Sequence, residues 1–111
     1  MSKPADLVQG PLDLLTLKIV ALEPQHGWAI TQRLKQVSND ELQASDGSVY
    51  PALQKLELSG WITSEWRLSD LGRRAKFYAL TSAGRRRLAR ETDEWHRLSG
   101  AISRVLRLKE I

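Results

Sequence analysis

The run Gly47-Ser48-Val49-Tyr50-Pro51-Ala52-Leu53-Gln54-Lys55-Leu56-Glu57, continuing through Ser59-Gly60 into Trp61-Ile62, decides the fold. Val49, Ala52, Leu53 and Leu56 recur at the three-to-four spacing of a helix and share one side of it. Ser48, Gln54 and Lys55 fall on the other side and point outward, short and polar or cationic. Pro51 is comfortable only in the first turn, so the helix is expected to start late, between Asp46 and Ser48, with Ser48 as its cap. Gly60 stops it, because glycine tolerates the backbone conformation that ends a helix.

Downstream, Trp61 to Arg67 alternates, with Ile62, Ser64 and Trp66 on one side and Trp61, Thr63, Glu65 and Arg67 on the other. Ala75 to Leu80 is a second extended run. Leu68-Ser69-Asp70-Leu71-Gly72-Arg73-Arg74 between them is turn-rich, so the pair is predicted to form a β-hairpin with a basic tip. Thr81 is a good cap for a last, long helix from Ser82 to about Leu108. Leu88, Trp95, Leu98, Ile102 and Val105 follow at spacings of seven, three, four and three, a coiled-coil-like seam. A rod of about 40 Å cannot bury such a seam inside a domain this small, so a second copy is expected against it.

Upstream, Pro11 suits a helix start, and Leu12, Leu15, Ile19 and Leu22 give a first helix ending near Glu23-Pro24. Leu14 and Leu17 add apolar surface beyond what one small core needs, and part of it is expected to face a partner subunit. Met1 to Gly10 reads as a loose arm, Gln25-His26-Gly27 as a turn, and Trp28 to Val37 as a second helix with Ile30, Leu34 and Val37 inward. Ser38 to Asp46 reads as a polar connection. Trp28, Trp61 and Trp66 are expected to pack the second helix and the hairpin.

A chain of 111 residues, 41% hydrophobic and 27% charged, has room for one domain with a modest core. It holds no cysteine, which removes disulfides, thiolate metal sites and a cysteine nucleophile. His26 and His96 belong to no metal or triad motif, and Asp93, Glu94 and His96 point in different directions from one helix. The glycines are scattered and form no phosphate cradle. No catalytic residue, cofactor or metal is expected, and the chain is not read as an enzyme. Asp13 and Lys18 break the first apolar segment, so it is read neither as a signal peptide nor as a membrane span. A cytoplasmic protein is expected.

Net charge is +4 and the isoelectric point about 9.8, which favours a polyanionic partner. Seven cations and no acid lie between Leu71 and Arg90. A helix with one polar face, joined at once to a hairpin with a basic tip, is how a winged helix-turn-helix meets double-stranded DNA. The fold class predicted is therefore α+β, mainly α: a winged helix-turn-helix over residues 1–80 with a two-stranded wing, then a dimerisation helix over 81–111. The candidate DNA-binding residues are Ser48, Tyr50, Gln54 and Lys55 on the third helix, Arg73, Arg74 and Lys76 on the wing, and Thr31, Gln32 and Lys35 on the second helix. The candidate dimer interface is Leu12, Leu15, Leu88, Trp95, Leu98, Ile102 and Val105. Trp95, a large flat ring on the seam, is also the candidate lining residue for an aromatic effector. A competing reading gives the same faces to protein–protein docking without a specific operator.

Taken together, Gly10 and Leu12, Gly27-Trp28-Ala29-Ile30, the Gly47–Glu57 run, Gly60-Trp61-Ile62 and Arg73-Arg74-Ala75-Lys76-Phe77-Tyr78-Ala79-Leu80-Thr81-Ser82-Ala83-Gly84 resemble a PadR-family transcriptional regulator. The likeness covers nearly the whole chain and, with one C-terminal helix, resembles the short-tailed branch. It implies a homodimeric repressor on a palindromic operator, released by a small hydrophobic or phenolic compound. It maps the reading helix onto 48–58, the wing onto 61–80 and the dimer helix onto 82–108.

Overall fold

A computed structural model describes residues 5–6 and 9–111. The order is β1 (Ala5–Asp6), α1 (Gln9–Leu22), β2 (Gln25–His26), α2 (Gly27–Val37), β3 (Leu42–Gln43), α3 (Asp46–Leu58), β4 (Ile62–Leu68), β5 (Arg74–Leu80) and α4 (Ser82–Leu106). This is the predicted winged helix-turn-helix with a long last helix. The stretch expected to be a loose arm falls partly outside the described residues. Within them, β1 pairs in parallel with β3, and Gly10 is already helical.

The core sits where α1, α2 and α3 converge under the sheet. The inward face of α3, with Val49, Ala52, Leu53 and Leu56, meets Leu12, Leu17, Ile19 and Val20 of α1, Ile30 and Leu34 of α2, and Ile62 and Tyr78 of the hairpin. Burying an aliphatic side chain of this kind contributes about 1.5–3 kcal/mol, so this stripe orients α3 and leaves its opposite face to solvent. Leu22, the last member of the first helix's apolar repeat, and Val37, expected inward, are exposed, because each lies at the last residue of its helix beyond the converging faces.

Two local expectations change. The cap of α3 is Ser45, not Ser48: its carbonyl takes the N–H groups of Ser48 and Val49, and the helix begins a turn earlier. Pro51 therefore lies inside the helix, where it has no N–H to give to the carbonyl four residues back. Residues 25–26, read as a turn, form a third strand. The sheet order is β2-β5-β4, with Gln25 opposite Tyr78 and His26 opposite Phe77. The hairpin strands pair in register from Ile62 opposite Leu80 to Leu68 opposite Arg74.

The junction with α4 depends on a small residue. Thr81 caps the helix through Gly84 N–H and also donates to the Gly60 carbonyl. A Cβ on Gly84 would stand 1.9 Å from the Trp61 carbonyl oxygen, so only glycine lets α4 start this close to the wing. Arg87 then stacks 4.6 Å over the Trp61 ring, a second tie between α4 and the start of the wing, and pairs with Glu91 one turn further along α4.

Candidate nucleic-acid interface

At about 100° per residue, the outermost strip of α3, opposite the buried stripe, is Gly47, Pro51, Gln54 and Leu58. Ser48 and Lys55 flank it on one side, Tyr50 and Glu57 on the other. The contacts agree with this placement. Lys55 Nζ pairs with Asp13 of α1. On the opposite flank, Ser64 Oγ of β4 donates to Glu57, and Lys76 Nζ of β5 lies 3.5 Å from the same carboxylate. Gln54 is thus the one long hydrogen-bonding side chain on the outer strip. Leu58, 83% exposed, stands beside it as an apolar contact.

Tyr50 links α3 to α2. It is half exposed, and the edge of its ring rests where a side chain at Gly27 would lie, with Cε1 2.7 Å from an added Cβ. Gly27 opens α2 directly after His26, whose Nδ1 accepts the Ala29 N–H as the helix cap. The first turns of α2 and α3 are therefore held together at one end.

That end and the wing enclose a cleft of about 790 Å³. Its walls include Trp28, Tyr50 and Trp66, with Arg73, Arg74 and Lys76 from the wing. Trp28 and Trp66, expected to pack inside, instead present more than half of their surface here. The guanidinium of Arg74 lies 5.3 Å over the Trp66 ring and the Lys76 ammonium 5.9 Å from the Tyr78 ring. At the tip, Ser69 N–H donates to the Arg73 carbonyl and Gly72 N–H to the Ser69 carbonyl, so Asp70 and Leu71 form the apex and Arg73 returns toward the helices. Burial raises the Tyr78 phenol above its ordinary value, helped by the nearby Glu57 carboxylate and Tyr50, so this ring is neutral under all ordinary conditions.

The structure brings together Tyr50, Arg73, Arg74 and Lys76 around the cleft, with Gln54 on the adjoining outer strip. Ser48, Gln32 and Lys35 are exposed but lie away from the cleft walls. Thr31 is a correction: it is buried, and its hydroxyl donates to the Trp28 carbonyl one turn back, so it has nothing to offer a phosphate. The candidate interface residues on the helices also divide. Trp95, Leu98, Ile102 and Val105 form an exposed stripe on α4. Leu12 does not belong with them, since it is buried in the protomer's own core, and Leu15 and Leu88 pack against that core. Asp13 and Glu57 escaped the sequence reading. Each acid meets its lysine only through tertiary structure, at separations of 42 and 19 residues, and no local pattern marks either.

A family model described as the transcriptional regulator PadR-like family matches residues 16–90, more than half of the chain. The chain belongs to this family. PadR-like proteins are transcriptional regulators rather than enzymes, and this PadR-like chain is a DNA-binding transcriptional regulator. It is 39% identical over 66 residues to the transcriptional regulator Rv3488 of Mycobacterium tuberculosis, covering 60% of this chain and 58% of that protein. The solved structure of smu.1704 from Streptococcus mutans UA159 superposes with a TM-score of 0.81 at 27% identity over the whole of both chains. A PadR family transcription regulator from Clostridium difficile R20291 gives 0.72 at 28% identity, covering 86% of this chain and 97% of its own. Among the described residues no helix is long and apolar enough to cross a membrane.

Proposed function

We propose that this PadR-like chain is a homodimeric repressor that binds a palindromic operator, with α3 in the major groove and the wing over the adjoining backbone and minor groove. The observation that carries the reading is the shared cleft: α2, α3 and the basic wing open onto one face, beside the outer strip that holds Gln54. Gln54 reads a base edge, and a glutamine pairs best with adenine. Arg73 and Arg74, for which no ion pair is formed among the described residues, neutralise phosphates. In this reading residues 1–80 bind DNA and residues 81–111 join the two copies.

The exposed stripe from Trp95 to Val105 supports the dimer. Beside it, a notch of about 260 Å³ whose apolar walls are Pro11, Leu14, Trp95 and Leu98, with Glu91 and Glu94 also lining it, supports a small aromatic effector beside Trp95. A gel-shift with the DNA upstream of the protein's own gene tests the whole reading. Sequence-specific retardation that is lost steeply with salt is expected. Equal binding to scrambled DNA, alongside a stable complex with another protein, would favour the docking module instead. Trp95→Phe, which keeps a ring in the proposed seam, is expected to bind operator and to weaken release by an aromatic compound; unchanged release would place the effector elsewhere.

A further inference from the structure

The cations of the candidate interface are not equivalent. Lys55 is held by Asp13 and Lys76 by Glu57, while Arg73 and Arg74 have no carboxylate partner among the described residues. Of the two acids, Asp13 comes from behind the surface. The Asp13 and Glu57 side chains are 14% and 33% exposed, against 45% and 39% for their lysines. Glu57 is fixed a second time, by the Ser64 hydroxyl. Asp13 is thus seated by its enclosure and Glu57, exposed almost as much as Lys76, by its second bond; the ammonium of each pair is a point charge on a flexible stem and is the group free to leave.

Resting on the DNA-binding reading above, we propose that Asp13 and Glu57 are positioning residues: internal counter-charges that moderate DNA affinity by keeping Lys55 and Lys76 off random DNA and releasing them only to correctly placed operator phosphates. Non-specific affinity comes almost entirely from phosphate neutralisation, so each cation withheld lowers it. In a loosely seated complex Lys76 stays with Glu57. When α3 seats in its operator groove, a backbone phosphate comes within reach, and the lysine exchanges one oxyanion for another. The exchange costs the operator complex the broken ion pair, whereas on other sequences the pair stays whole and the lysine's phosphate contact is never made. Lys76 lines the cleft between wing and helix, which is where that backbone would pass.

The test measures binding of the wild-type full chain to an operator duplex and to a scrambled duplex of equal length across a range of KCl concentrations. Glu57→Gln keeps an acceptor for Ser64 and removes the charge. It is expected to tighten scrambled-DNA binding by about twofold to fivefold, the range of an exposed ion pair. The scrambled-DNA salt slope should steepen by about 0.9, one added phosphate contact. Operator binding should tighten at least as much, because no pair has to be broken, but with an unchanged slope, since that contact already exists in wild type; the salt slopes of the two duplexes therefore converge. Asp13→Asn should act in the same direction through Lys55, an independent arm should either variant fold poorly. Adding Lys76→Gln to Glu57→Gln should return the scrambled-DNA slope to its wild-type value. A slope unmoved by both acid variants, with wild type still preferring operator, overturns the counter-charge role and leaves the DNA-binding reading intact. A wild type that does not distinguish the duplexes overturns that reading itself.

Discussion

Gln54 and Lys55 are neighbours in sequence with different work to do. Helical spacing alone puts both on the outer half of α3, and both are exposed. What spacing cannot show is that Lys55 leans toward α1, because its partner lies 42 residues away on another helix. Gln54 has no such tie among the described residues and stands on the outermost strip. Gln54→Ala should therefore leave the thermal midpoint unchanged and relax base preference at one position per half-site. The discrimination lost should be about 1–3 kcal/mol, read by competition with single-base operator variants. Lys55→Ala should behave differently. It strips the partner from an acid whose other oxygen, Asp13 Oδ1, is buried without a hydrogen bond among the described residues. A stability loss of about 1 kcal/mol is expected, at the upper end for a half-exposed pair. Urea unfolding measures it, and Asp13→Asn combined with Lys55→Ala should recover most of it. A Lys55→Ala protein as stable as wild type would show the pair to be ornamental.

At the scale of elements, period and punctuation carried most of the reading. The apolar stripes of α2 and α3, Gly60 after α3, the alternation in β4 and Thr81 before α4 each correspond to a local physical requirement that the chain states where it stands. β2 does not. Two residues contain no alternation to detect, and Gln25 and His26 become a strand only because β5 has an open edge beside them. The apolar surplus of α1 is a similar case. Leu12 and Leu17 go inward and Leu22 outward, a choice set by where α3 and α4 land rather than by α1 itself. The same reasoning isolates the stripe on α4. Ile102 is half exposed and lies outside the protomer's core, so Ile102→Glu should spare the fold while putting a charge into the proposed seam. Light scattering should then report a monomer where wild type gives a dimer, with the thermal midpoint of the winged domain little altered at high dilution. A dimer that survives this change would place the interface on another surface.

The whole molecule measures 60 × 36 × 20 Å, and α4, 25 residues long, accounts for much of its length. A rod of about 37 Å at 1.5 Å per residue exceeds what one winged domain needs to stay folded. Its purpose in the proposed assembly is geometric: pairing two rods sets the distance and rotation between two copies of α3. A rigid pair can engage both halves of an operator only when their major grooves face the same way, about 34 Å or one helical turn apart. Inserting about 5 base pairs between the half-sites turns one groove to the far side of the duplex. The second α3 then loses its site, and binding falls toward that of a single half-site. Since the second contact is intramolecular, its loss should weaken affinity by about 100-fold or more, measured by fluorescence anisotropy at fixed salt. Restoring the full turn with about 10 base pairs brings the grooves back into phase but not to the same distance, so recovery should be partial at best. Affinity that ignores spacing would mean that each copy binds alone, and α4 would then need another purpose.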